Sequence, residues 1–167
     1  MTRCPRAFVV LLSAMIFGCQ AQHSVAVVAD NNLQVGIQAT DNKSAITEPV
    51  ALRYFINNTT DKKVTLLPWG TPLEAPLTAD VFDVTRNGQV LPYIGIMVKR
   101  IPPTQADYID IEAGHSIDAQ VLLSDAYDMS AHGDYEVQLK TYRSEYLIGD
   151  VSLTIVTTPV TIVRVDR

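Results

Sequence analysis

The chain has 167 residues, of which 47% are hydrophobic and 19% are charged, and its formal net charge at pH 7 is −5. An acidic chain whose basic residues are scattered is a poor candidate for nucleic-acid binding, so we expect no nucleic-acid partner. The length is sufficient for one domain with a substantial hydrophobic core.

The first residues of the chain predict a lipoprotein signal peptide. Arg3 and Arg6 form a basic region, and an apolar run of eleven residues follows over Ala7–Phe17. This run is too short for a transmembrane helix, which needs about 20 residues, but it is typical of a signal sequence. Gly18 then places a small residue before Cys19, as lipid attachment to that cysteine requires. An ordinary secretory signal with a chance cysteine is the alternative.

Three segments are therefore expected: a signal peptide over 1–18, a lipidated tether over 19–32 and one domain over 33–167. Palmitate and further acyl chains on Cys19 would hold the protein to a membrane, since one chain alone binds only marginally. Gln20, rather than aspartate, after the cysteine favours the periplasmic face of the outer membrane. Cys4 lies within the signal peptide, so no disulfide is expected.

Beyond the tether, short β-strands are predicted throughout. Apolar and polar residues alternate with a period of two, which is typical of half-buried strands. A polar turn is expected over Asp41–Ser44, and one helical turn over Ser124–Met129 with Ser124 as its N-cap. The predicted strands are Leu33–Ala39, Val50–Ile56, Val64–Leu67, Val81–Thr85, Val90–Tyr93, Tyr108–Ile111, Ile117–Leu123, Tyr135–Tyr142, Val151–Val156 and Val160–Val165.

The centre of the chain holds the strongest local signal. Asn87-Gly88 lies between two β-rich runs, and this pair favours a type I′ hairpin turn because both central residues need positive φ. Val98–Ile101 is expected to be extended and to end at Pro102-Pro103, because proline cannot donate to a sheet. The many short strands predict an all-β fold, an immunoglobulin-like antiparallel β-sandwich.

No catalytic or metal-binding motif is present. The sequence lacks the HExxH zinc motif and the GxSxG nucleophile elbow, and its acidic residues lack the spacing of a calcium loop. We therefore expect neither an enzyme nor a cofactor or metal. The isolated histidines are expected to be solvated: His23, His115 and His132.

Trp69 and the pair Lys99-Arg100 are candidate binding residues. Trp69 lies outside a regular strand, where it either plugs one end of the core or anchors a partner, since tryptophan is enriched at interface hot spots. Proline restricts the preceding residue to extended geometry, so Lys99 and Arg100 are expected on a stiff, extended segment. The alternative is that the two cations are simply solvated.

An ordered series of short motifs carries a family resemblance. The motifs are Thr71–Glu74, Phe82, Asn87-Gly88, Pro92-Tyr93, Gly95, Val98–Arg100, Pro102-Pro103, Asp107-Tyr108, Gly114, Ala126–Asp128, and Gly133 with Tyr135. Over roughly Leu33 to Tyr142 the chain resembles the N-terminal propeptide-like domain of bacterial aspzincin metalloendopeptidases, the deuterolysin and peptidyl-Lys family.

The resemblance implies a binding role rather than catalysis, because the family's zinc-binding residues have no counterpart here. It implies a lipoprotein that binds an aspzincin-type metalloprotease as inhibitor or periplasmic chaperone. Trp69, Glu74, Lys99 and Arg100 are the partner-binding candidates, with Lys99 entering the lysine pocket of a peptidyl-Lys enzyme. The alternative is a structural, adhesion or assembly lipoprotein without a protease partner.

Overall fold

The computed structural model describes residues 32–140, 147–148, 152–155 and 159–166. The predicted signal peptide, Cys19, His23 and all of the predicted tether except Asn32 lie outside the described residues. Among the residues it does describe, no helix is long and apolar enough to cross a membrane.

The described part of the chain contains twelve strands. They are β1 (Asn32–Ala39), β2 (Lys43–Ala45), β3 (Ala51–Asn58), β4 (Val64–Leu66), β5 (Phe82–Arg86), β6 (Gln89–Val90), β7 (Ile109–Ile111), β8 (Ser116–Leu122), β9 (Gly133–Leu139), β10 (Leu147–Ile148), β11 (Ser152–Ile155) and β12 (Val160–Val165). Two 3₁₀ turns accompany them, at Gln105–Asp107 and Leu123–Asp125.

The strands form three sheets. One has the order β11-β1-β3-β8, a second β2-β12-β9-β5-β6, and a small third sheet β10-β4-β7. Neighbouring strands are antiparallel except for β1 with β11 and β2 with β12, which are parallel. These two parallel pairs lie at sheet edges, where the second strand arrives from a distant part of the sequence.

One hydrophobic core joins the sheets. Leu33, Val35 and Ile37 of β1 are buried together with Tyr135 and Val137 of β9. The intervening residues of β9 are exposed, which is the alternation that a two-layer sheet packing produces. The predicted all-β sandwich is therefore confirmed.

The predicted type I′ turn is also confirmed. Asn87 has φ of 50° and Gly88 has φ of 80°, the left-handed values that this turn requires at both positions. Its second strand ends at Val90, earlier than the predicted Tyr93, because the chain leaves the sheet after β6.

Two local predictions are wrong. Lys43–Ala45 is a strand where a polar turn was expected, because its backbone pairs in parallel with Val163–Val165 of β12. The helical turn is a 3₁₀ turn over Leu123–Asp125 without a side-chain cap. Ser124 lies inside that turn, and its Oγ accepts a hydrogen bond of 3.2 Å from the Val50 amide.

Candidate functional site

An exposed apolar segment follows the β5–β6 hairpin. We call residues 94–101 the apolar strap. They belong to no strand, and Met97 and Ile101 leave 84% and 79% of their surface accessible. The other exposed large hydrophobic side chains of the strap are Ile94, Ile96 and Val98.

Tyr93 holds the beginning of the strap. Its backbone forms an isolated antiparallel bridge with Tyr127, and the two rings meet edge to face with centroids 5.6 Å apart. The Tyr93 hydroxyl lies 2.7 Å from the carbonyl oxygen of Ile96 and 2.9 Å from that of Leu77, so its one proton is shared between two acceptors. Burial raises the pKa of Tyr93 above its ordinary value of about 10, so the hydroxyl remains a donor at neutral pH and into the alkaline range.

Gly95 allows the strap to cross the Tyr93 ring. A β-carbon at position 95 would lie 2.6 Å from both Cζ and the hydroxyl oxygen of Tyr93. This distance is far inside van der Waals contact, so any residue with a β-carbon at position 95 would clash with the Tyr93 side chain.

Arg100 holds the end of the strap. Its guanidinium forms an ion pair with the Glu74 carboxylate and lies 4.7 Å from the centre of the Trp69 ring, a cation–π geometry. Glu74 also accepts hydrogen bonds from the Gly70 amide at 2.7 Å and from the Thr78 hydroxyl. The Glu74 carboxylate therefore stabilises the loop that carries Trp69 and also holds the Arg100 guanidinium against that loop.

Hydrogen bonds to Asp107 fix the chain beyond the strap. The Thr104 amide and hydroxyl both donate to Asp107 Oδ2 at 2.7 Å, and these hydrogen bonds lower the pKa of Asp107. These hydrogen bonds therefore fix the backbone that follows Pro102-Pro103, on the C-terminal side of Arg100.

The Tyr93 anchor rests on a buried tyrosine. Tyr127 is fully buried, and its hydroxyl donates to Asp80 Oδ1 at 2.8 Å and lies 3.0 Å from the Phe82 carbonyl oxygen. Burial, together with the hydrogen bond to Asp80, raises the pKa of Tyr127. Asp80 in turn forms a 2.7 Å ion pair with Lys140.

A groove of about 460 Å³ runs between the strap and the Trp69 loop. Its apolar wall comes from Met97, Val98 and Ile101, and Asp80 contributes a carboxylate. The exposed side chains of the strap and the groove beside them form an irregular apolar surface, which is suited to bind a protein partner.

The structure brings three of the four predicted binding residues together. Arg100 contacts both the Glu74 carboxylate and the Trp69 ring, and Trp69 is half-buried, so its indole serves as a platform for Arg100. Lys99 is exposed, and no hydrogen bond or ion pair of its side chain is seen among the described residues. Of the two cations predicted on a stiff segment, Arg100 is held by Glu74 and Trp69, whereas Lys99 is exposed.

Sequence reasoning missed the apolar strap itself, with its anchors Tyr93 and Gly95. The available signal was the nearly unbroken apolar run that precedes Lys99, because it has no alternation and is followed by two prolines. In the described part of the chain, no group of three or more His, Cys, Asp or Glu could hold a metal ion. His132 is exposed and lies 2.9 Å from Asp166.

Comparison with known proteins adds a family and two relatives. Residues 32–143 match the model of an immunoglobulin-like domain, which confirms the predicted fold. An extracellular protease of Aeromonas hydrophila is 39% identical over 94 residues, covering 55% of this chain and 26% of that protein. An uncharacterized secreted protein of Arthroderma benhamiae is 33% identical over 102 residues, covering 58% of this chain and 51% of that protein. The chain thus spans about a quarter and about half of the lengths of these relatives.

Proposed function

Since this chain belongs to the immunoglobulin-like domain family, we propose that it acts by binding another protein, and that this partner is a secreted protease. In this proposal the chain has no catalytic activity of its own. It serves as an inhibitor or as a chaperone during export.

The exposed apolar strap is the observation that carries the proposal. Soluble monomers rarely expose contiguous apolar surface without a partner that covers it. Here Tyr93 and Arg100 fix both ends of the exposed segment. Such preorganisation reduces the entropy lost on binding, as expected of a docking element.

One relative and the motif series support a protease as the proposed partner. The Aeromonas protein is described as an extracellular protease, and the likeness covers about a quarter of it. We propose that a domain that resembles one part of a protease binds another part of such an enzyme. The motif series from Thr71 to Tyr135 narrows the proposed partner to an aspzincin-type metalloprotease.

We propose that the Lys99 side chain enters the active-site cleft of the partner protease. It projects from the strap beside Arg100, whose guanidinium is occupied by Glu74 and Trp69. Exposed Met97 and Ile101 lie on either side in the sequence. We assign Lys99 to the partner's cleft, the apolar side chains to its rim, and Arg100 to positioning the strap.

Lipid attachment to Cys19 is proposed to confine this activity to the cell envelope. The basic and apolar residues before Cys19 support this proposal. At the periplasmic face of the outer membrane, the domain would meet a protease during its export.

The test is a titration of the purified chain into an aspzincin-type lysyl endopeptidase, followed by peptide cleavage and by complex formation on a sizing column. Stoichiometric loss of cleavage is expected. The double variant Met97→Asp/Ile101→Asp should lose inhibition. Val90→Asp should retain it, because Val90 is also exposed but belongs to the hairpin strand β6.

The outcomes separate the possible roles. A complex that leaves cleavage intact would favour the chaperone over the inhibitor. The absence of both a complex and inhibition would refute the protease partner, and would favour the structural or adhesion lipoprotein.

A further inference from the structure

A second surface, the free edge of β8, is distinct from the strap. β8 ends the four-stranded sheet and pairs with β3 alone. It is seven residues long, whereas the edge strands β2, β6, β7 and β10 have two or three residues each. Among the described strands of that sheet, the other edge is β11, with four residues.

The hydrogen-bond pattern shows which groups of β8 point outward. The Leu123 amide donates to the Val50 carbonyl, and the Asn58 amide donates to the His115 carbonyl, both at 2.8 Å. In an antiparallel pair, alternate residues direct both backbone groups to the same neighbour. The odd-numbered residues of β8 therefore face β3, and the even-numbered residues face the open edge.

Four residues thus offer a ladder of backbone donors and acceptors. None of their amides or carbonyls is paired within the described residues. The strand also lacks lysine and proline, two residues with which many proteins protect long edges. These four residues are Ser116, Asp118, Gln120 and Leu122.

A cavity lies at one end of this edge. It has a volume of about 280 Å³ and is lined by Val121 and Leu122 of β8 and by Pro76 and Leu77 of the facing loop. Leu122 is 44% exposed. The dimensions suit one aliphatic or aromatic side chain placed beside the added backbone.

The charges at the cavity rim favour a cation. Glu74 and Asp125 both line the cavity, but the Glu74 carboxylate is already paired with Arg100. Asp125 is exposed and forms no ion pair with the described residues. A lysine or arginine next to the inserted apolar side chain would complement Asp125.

We propose that the β8 edge binds an extended peptide segment of a partner protein as an added antiparallel strand, with an apolar side chain in the cavity beside Leu122 and a basic residue next to Asp125. In strand addition the backbone hydrogen bonds supply affinity and the side-chain pockets supply specificity. The β8 edge and the strap are formed by different residues, although Glu74 both pairs with Arg100 and lines the cavity. The proposal does not depend on the identity of the protease.

The probe is a fluorescently labelled peptide, acetyl-Thr-Val-Lys-Leu-Lys-Val-Thr-amide, which matches the length of β8. It is titrated into the purified full-length chain and binding is followed by anisotropy. Saturable binding is expected. Methylation of alternate peptide amides should weaken it by about tenfold or more, because two or three backbone hydrogen bonds are removed.

Two variants of the chain locate the site. Gln120→Pro removes an outward amide without breaking the pairing with β3, since proline is tolerated where the amide faces solvent, and it should weaken binding about tenfold. Gln120 also lines the cavity, so Gln120→Thr, which keeps the amide, measures the effect of changing this side chain, and Gln120→Pro should bind about tenfold more weakly than Gln120→Thr. Circular dichroism verifies the fold of both, and the methylated peptide tests the site on the unchanged chain should Gln120→Pro unfold.

Several results would overturn this inference. They are equal binding of the methylated and unmethylated peptides, equal binding by a folded Gln120→Pro variant, and no binding at millimolar peptide. Concentration-dependent dimerisation that Gln120→Pro abolishes would also overturn it, because the edge would then serve a second copy of the chain. Failure of protease inhibition would leave each of these readouts unchanged.

Discussion

Tyr127 shows how a single buried hydroxyl supports the surface above it. Its ring supports the ring of Tyr93 at 5.6 Å between centroids, and its hydroxyl is held by Asp80 and by the Phe82 carbonyl. Ionisation would place a buried phenolate against the Asp80 carboxylate, which explains the raised pKa of Tyr127. The position of Tyr93, and with it the beginning of the strap, therefore depends on a neutral Tyr127.

This tyrosine predicts a loss of stability in alkali. Because folding raises the pKa of Tyr127 above its unfolded value of about 10, the stabilisation is fully present below pH 10 and declines as the pH rises further. Urea unfolding at pH 8 and pH 11 should show that Tyr127 contributes a decrease of about 1 kcal/mol in the unchanged chain, because pH 11 lies about one unit above the unfolded pKa. Tyr127→Phe should be less stable at pH 8, by about 1 kcal/mol for the lost hydrogen bonding, and should show a smaller decrease at pH 11. An equal decrease in both chains would disprove the assignment.

At the scale of elements, the apolar strap is an irregular segment held by contacts at its two ends. Neither anchor is local, because Tyr93 meets Tyr127 and Arg100 meets Glu74, 26 residues away. The middle residues, Ile96–Val98, are presented to solvent by this arrangement and not by a strand. Its geometry should therefore be sensitive to changes at the anchors.

Gly95→Ala tests the first anchor. The added methyl group would overlap the Tyr93 ring, so we expect a destabilisation of about 1–3 kcal/mol, the usual cost of overpacking. Trypsin should also cut faster after Lys99 or Arg100, because the strap is displaced. In a Tyr93→Ala background the same substitution should add little, since the overlapping ring is gone. Equal effects of Gly95→Ala in both backgrounds would show that the close approach to Tyr93 is not its cause.

The regular elements were predictable where the local sequence alone decides them. Asn87-Gly88 specifies its turn through backbone φ, and Leu33–Ile37 specifies β1 through alternation. β2 was missed because its parallel pairing with β12 joins residues about 120 positions apart. The strap was not predicted because a short apolar run is equally typical of a buried strand. Its exposure depends on the distant partners Tyr127 and Glu74.

At the scale of the whole molecule, the last strand is integral to the sandwich. β12 lies between β2 and β9 in the five-stranded sheet, and Ile162 is fully buried. Arg164, only 3% exposed, donates to the carbonyl oxygens of Met129, Ile46 and Glu48 at 2.8 to 3.1 Å. A buried guanidinium with these acceptors ties β12 to the segment after β2. The family match ends at residue 143, before this strand.

We therefore predict that a chain ending at residue 143 will not fold. Truncation after residue 143 removes β12. This leaves β2 without its strand neighbour and exposes one side of β9. Burial of one large aliphatic side chain contributes about 1.5–3 kcal/mol, and a whole domain has only about 5–15 kcal/mol of stability. Circular dichroism and urea unfolding should show no cooperative transition for this chain.

Adjacent point variants separate the loss of β12 packing from the effect of shortening the chain. Ile162→Asp places a charge in the core and should abolish or greatly weaken folding, since an unpaired buried charge is costly. Thr161→Asp changes the neighbouring exposed residue and should unfold nearly as the unchanged chain does. If the truncated chain unfolds cooperatively with the midpoint of the full chain, β12 is dispensable and the domain is smaller than the sheet order indicates. If Ile162→Asp alone reproduces the truncation, the buried face of β12 is what completes the core.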